Sequence, residues 1–152
     1  MSLRDRLLYT YPHCGIITHQ GERDLQVGKK EFSEIRCHLG KTQRQLAQIL
    51  GTSLKAIQSF EQGWRKVPVH TERQILFLLA MKKSPRQKNR PCWVIRECRR
   101  EVKQNCPAWE FQVGDLCWFI NGTVCQGRAQ EDWRKKMKIC RQCKVFRAKL
   151  PI

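Results

Sequence analysis

The sequence predicts a mainly α fold in two parts: a bundle of short helices, then a small cysteine-rich α+β module with one β-hairpin. Three observations carry this expectation. Apolar residues between 28 and 82 recur at spacings of three and four, the period of a half-buried helix. Seven of the nine cysteines, Cys92, Cys98, Cys106, Cys117, Cys125, Cys140 and Cys143, follow residue 91. Between the two runs lies KKSPRQKNRP, residues 82–91, which is polar, basic, proline-containing and without apolar periodicity. The expected parts are an N-terminal extension over 1–27, a helical domain over 28–82, a basic linker over 83–91 and a cysteine-rich domain over 92–152.

The extension contains YPHCGIITH, a candidate strand or arm, in which His13, Cys14 and His19 form at most a weak site. Next, GKKEFSEIRCHLG sets Phe32, Ile35 and Leu39 on one helical face, and Gly40 suits its end. Thr42 and Gln45 have the spacing of a capping box, in which each side chain bonds the other's backbone N–H. Leu46, Ala47 and Leu50 form the inward stripe behind it, and Gly51 suits a left-handed turn. Ser53 is an N-cap for a further helix with Ile57 and Phe60 inward and Gly63 near its end. In HTERQILFLLAMK, Thr71 and Gln74 have the capping-box spacing again. Residues 75–81 of that segment are apolar all round. A helix packed on one side needs an apolar stripe only about 100° wide. The surplus face is therefore expected to meet either the cysteine domain or a second copy of the chain, giving a homodimer.

Two short helices joined by a glycine-containing turn make a helix-turn-helix. The order Leu46-Ala47-x-x-Leu50-Gly51-Thr52-Ser53-x-x-x-Ile57-x-x-Phe60-Glu61-x-Gly63, with TQRQLA before and FEQGWRKVP after, resembles the DNA-binding domain of the lambdoid phage repressor and Cro family over about residues 29–82. Leu54, Lys55, Gln58 and Ser59 are expected to face outward. The resemblance implies that Ser53, Leu54, Lys55 and Ser59 meet base edges in the major groove, and that Gln43 meets a phosphate. Arg65 and Lys66, just past the third helix, are further candidates for phosphate contact. Lys55 suits guanine O6 or N7, and Leu54 a thymine methyl.

In the cysteine domain, FINGTV is a two-residue hairpin signal, with Asn121-Gly122 as a type I′ turn. That register would put Cys125 on the side of Trp118 and Cys117 on the other side of the ribbon. VIRECRREVKQNCP and QEDWRKKMKICRQC both read as helices, and Cys140-x-x-Cys143 can aim two thiols at one centre. Cys92-Trp93, Cys98, Cys106-Pro107, Cys117-Trp118, Cys125 and the CxxC pair together resemble the two-CW domain, a cysteine-rich prokaryotic module, over about 91–148. The resemblance brings no chemistry with it, and three readings stand. A zinc or iron–sulfur centre would take four thiolates, with Cys140 and Cys143 first and the other five competing. A reversible thiol switch would use a reactive pair. A reduced core would use the thiols as small hydrophobes.

The chain has 152 residues and a formal net charge of +17, with excess Lys and Arg in both parts and in the linker. Such a surplus draws polyanions. No apolar run approaches the ~20 residues that span a bilayer. The first residues lack a secretory signal. A cytoplasmic setting is expected, where stable disulfides are rare. The sequence has no Ser/His/Asp set, phosphate-cradling glycine loop or paired carboxylates. These readings converge on a transcriptional regulator of double-stranded DNA with a metal- or redox-responsive cysteine domain, and not an enzyme. The rivals are a thiol or iron–sulfur enzyme, or an RNA-binding protein, that docks through the helix-turn-helix.

Overall fold

A computed structural model describes residues 26–82 and 90–150. The expected arm with His13, Cys14 and His19, and most of the linker, lie outside the described residues. The chain is mainly helical, with a single two-stranded antiparallel hairpin among those residues. None of their helices is long and apolar enough to cross a membrane.

Helices α1 (Lys29–His38), α2 (Gln43–Ile49), α3 (Leu54–Gln62) and α4 (Val69–Lys82) come first. The α2 start follows the sequence. The Thr42 side chain accepts from the Gln45 N–H at 3.1 Å, and the Gln45 side chain accepts from the Thr42 N–H at 3.0 Å. Gly51 takes a φ of +63° between α2 and α3, and Gly63 a φ of +79° at the α3 end. Phe32 and Phe60 meet edge to face at 5.6 Å, holding α3 against α1. The second capping box does not form. Pro68, which has no N–H to satisfy, starts α4 earlier: its carbonyl accepts from the Glu72 N–H, so Thr71 is buried inside the first turn. Gln74 reaches the Ile49 carbonyl instead.

The cysteine-rich part holds α5 (Cys92–Ile95), α6 (Arg100–Gln104), α7 (Pro107–Glu110), α8 (Cys117–Ile120), β1 (Val124–Cys125), β2 (Arg128–Ala129), α9 (Trp133–Gln142) and α10 (Lys144–Lys149). The helix expected across VIRECRREVKQNCP is broken. Glu97 turns left-handed with φ +49°, and the Cys98 N–H closes back on the Trp93 carbonyl. The helix expected before Cys143 forms as α9, capped by the Asp132 side chain.

The hairpin exists, but not at Asn121-Gly122. Residues 117–120 are helical, and Asn121 caps that helix. The Asn121 carboxamide accepts from the Ala108 N–H at 2.9 Å and donates to Cys106 Sγ at 3.3 Å. These bonds tie the expected turn to α7. The tight turn falls at Gln126-Gly127, where φ is +50° and +75°, both positive as a type I′ turn requires. Val124 pairs with Ala129, and Cys125 with Arg128. The separation of Cys117 from Cys125 on opposite ribbon faces therefore does not hold.

One apolar cluster crosses both parts. The α4 surplus face meets the cysteine-rich part: Phe77 stacks on Phe119 at 4.8 Å. The Arg73 guanidinium lies over the Phe119 and Trp133 rings and donates to the Phe119 carbonyl. Arg141 of α9 grips Glu31 of α1 through two bonds of 2.8 and 3.1 Å.

Candidate functional site

Two regions collect the residues singled out by the sequence. The first lies on α3 and just beyond it. Lys55 and Gln58 are exposed, and Leu54 is half-buried. Ser53 is exposed, but its Oγ accepts from the Ala56 N–H at 3.1 Å. Ser59 corrects the expectation of an outward face. It is buried, and its Oγ donates to the Lys55 carbonyl one turn back at 2.8 Å. Gln43 is half-buried and donates to Glu61 at 2.6 Å, so α2 and α3 are tied through a carboxylate that also holds Arg36.

Arg65 and Lys66 are exposed beside α3. With Lys29 and Arg134 they line a groove of about 390 Å³ that has no acidic residue in its wall. Arg134 comes from α9, so the cysteine-rich part contributes to this basic surface. Its place there depends on the tertiary fold, and nothing in its local sequence marks it. Trp64 had a local signal, an aromatic between Gly63 and two cations, and it stands 79% exposed.

The second region is a cavity of about 40 Å³ lined by all seven cysteines from 92 to 143. They arrive from separate elements. Cys92 and Cys117 begin α5 and α8, Cys106 and Cys143 cap α7 and α10, Cys98 follows α5, and β1 and α9 bring Cys125 and Cys140. The eight described cysteines are free thiols. Among the described residues no three Cys, His, Asp or Glu side chains converge as ligands of one ion.

Electrostatics divides the thiols into neighbourhoods. Burial pushes the Cys140 thiol up to about 12, and the neighbouring Cys117, Cys125 and Cys143 push the same way against Lys136. A hydrogen bond with Cys92, then burial, raises Cys117. Burial raises Cys125, and it also raises Cys98, to which Cys106 and Cys125 add. As free groups, then, Cys98, Cys117, Cys125 and Cys140 are held in the neutral form.

The rest of the polar lining is two cations, Lys136 and Arg96, and the carboxamides of Asn121 and Gln126. Lys136 is 2% exposed and donates to the Val124 carbonyl, and none of the ion pairs among the described residues includes it. Arg96 also lines the cavity; its Nη2 donates to the Gln126 side chain at 3.0 Å, and its Nε is buried without a partner. Trp118 is 1% exposed, and its indole N–H is likewise unpartnered. No acidic side chain lines this wall. Sequence spacing singled out the seven cysteines but gave no sign of Lys136 or Arg96. No known protein family, curated protein or solved structure matches this chain.

Proposed function

We propose that this chain is a cytoplasmic, sequence-specific DNA-binding regulator, with a helix-turn-helix at α2–α3 and a cysteine-rich module that responds to metal or redox state. The observation that carries the reading is the combination of an exposed α3 edge, Lys55 and Gln58, with the acid-free groove of Lys29, Arg65, Lys66 and Arg134 beside it. A helix edge offering a cation and an amide suits base edges in the major groove. A flanking run of cations suits phosphates, which set position and not sequence. Exposed Trp64 adds an aromatic face next to that groove. The repressor-like spacing of 29–82 supports the same assignment, with Leu54 and Ser53 near the bases. Ser59 leaves the contact set because it is turned inward, and Gln43 enters it only with the hydrogen that Glu61 leaves free.

The test begins with duplexes selected from a random pool by the full chain. Lys55→Ala is expected to lose discrimination at one base position by roughly 1–3 kcal/mol. Arg65→Ala is expected to weaken selected and random duplexes alike, and to reduce the salt slope by about one phosphate contact. If no preferred duplex emerges, or if both variants lose equally on both duplexes, the assignment of roles fails.

A further inference from the structure

We propose that the seven-cysteine cavity is the seat of a polynuclear iron–sulfur cluster, held by Cys117, Cys125, Cys140 and Cys143, with Lys136 and Arg96 balancing its negative charge. The inference deepens the module half of the reading above and does not depend on DNA binding.

The lining supplies the argument. An unpaired ammonium in a buried site is strongly unfavourable, and buried donors without acceptors cost further free energy. Here a buried lysine and an arginine bond the neutral Val124 carbonyl and Gln126 side chain, the arginine Nε and the Trp118 indole N–H are buried without a partner, and the cavity wall offers no carboxylate. Neutral thiols are weak acceptors and carry no charge. A disulfide adds no negative charge either. Thiolates on a metal centre supply the missing charge and the acceptors together, and N–H donors to the sulfurs are a standard lever on such centres.

The arrangement of the sulfurs selects the kind of centre. A tetrahedral zinc site draws four sulfurs to about 2.3 Å from one point. The thiols here ring a cavity from several elements without such convergence among the described residues. A cluster of four irons takes one thiolate at each iron, so its ligands stand around a volume and not around a point. The cavity exceeds the roughly 10–15 Å³ that a single water requires, leaving room for more than one atom. Cys117, Cys125, Cys140 and Cys143 are taken as the ligands because all four line the cavity, Cys140 and Cys143 stand together at the end of α9, and Cys117 and Cys125 lie near enough to act on Cys140. The balance is complete. Two ferrous ions, two ferric ions and four sulfides form a core of charge +2, and four cysteines bind it as thiolates while releasing four protons. The loaded centre carries −2, and Lys136 and Arg96 together carry +2.

The test uses the full chain, reduced and anaerobic, given equal ferrous and ferric iron with sulfide, and separately given zinc. The expected product holds about four iron and four acid-labile sulfide per chain, with broad visible absorption. Cys140→Ser and Cys125→Ser are expected to lose most of this loading. Cys37→Ser, on α1 outside the cavity, retains it. Lys136→Met removes a cation that favours the reduced, more negative cluster, so its midpoint potential falls, while Lys136→Arg stays near wild type. Far-UV circular dichroism checks that each variant is folded, and the Lys136 potentials decide the matter if a cysteine variant does not fold. Failure to take up iron and sulfide, uptake of a single zinc in preference to them, or loading insensitive to Cys125 and Cys140 overturns the proposal. So does an unchanged potential in Lys136→Met. None of these readouts involves DNA, so a failed DNA reading leaves them standing.

Discussion

Glu72 shows how one buried residue fixes a pH dependence. It is fully buried at the junction of the two parts, and it accepts from the Trp133 indole N–H at 3.1 Å and the Val27 N–H at 3.3 Å. Burial raises its carboxyl above the ordinary 4.5, against the two hydrogen bonds and nearby Arg141, which favour the charged form; Glu31 adds a smaller push upward. A raised carboxyl binds its proton more tightly when folded than when unfolded. Its contribution to stability is therefore largest below about pH 4.5 and is lost as pH rises through the folded value. Glu72→Gln cannot titrate. The stability difference, wild type minus Glu72→Gln, is expected to fall as pH climbs from 4.5, measured by urea unfolding at a series of pH values. A difference that stays constant across that range would show that the carboxyl is not raised. Nothing in the local spacing marks this group, because Glu72 lies in a first helical turn, where a solvated acid is common.

At the scale of elements, what could be read from sequence divides by distance along the chain. The Thr42–Gln45 capping box, the Ser53 cap and the Gly63 terminus are settled within a few residues, and they fall where the spacing put them. The Asn121-Gly122 turn is equally local in its signal, yet both residues also suit a helix exit. Bonds to Ala108 and Cys106, far along the chain, decide between the two. The α5 contact is of the same long-range kind. The Cys92 N–H bonds the Gly114 carbonyl at 3.0 Å, and a Cβ at Gly114 would lie 2.6 Å from the Pro91 Cβ and 2.7 Å from the Trp93 ring. Part of the obstruction is Pro91 backbone, at 2.9 Å, which cannot swing aside as a flexible side chain can. Gly114→Ala is thus expected to destabilise the full chain by about 1–3 kcal/mol through overpacking. An unchanged urea midpoint would mean that α5 does not sit against this loop.

At the scale of the molecule, the cysteine cavity and the basic groove meet through one core. Sequence spacing aimed Cys140 and Cys143 at one centre; the fold gathers the other five by bringing α5, α7, α8 and β1 to one cavity with α9. Two of these elements, α8 and α9, carry the contacts to α1 and α4. Cys117 is followed by Trp118 and Phe119, the latter stacked on Phe77, and Cys140 is followed by Arg141, bonded to Glu31. The apolar surplus of residues 75–81, which pointed to either a partner subunit or the cysteine domain, is used in part by the second. An apolar cluster shared in this way couples the unfolding of its halves. We predict a single thermal transition for the full chain, with the same midpoint by far-UV circular dichroism and by tryptophan fluorescence, since Trp118 and Trp133 report the cysteine-rich side while α1–α4 dominate the long-helix signal. The contact itself is tested by a double-mutant cycle on Phe77→Ala and Phe119→Ala. A stacked aromatic pair is worth about 0.5–1.5 kcal/mol beyond its buried area, so the double variant is expected to lose less than the sum of the single losses by that amount. Additive losses with two separate transitions would show two independent domains, and then a change at the cysteines would have no route through this interface to α3.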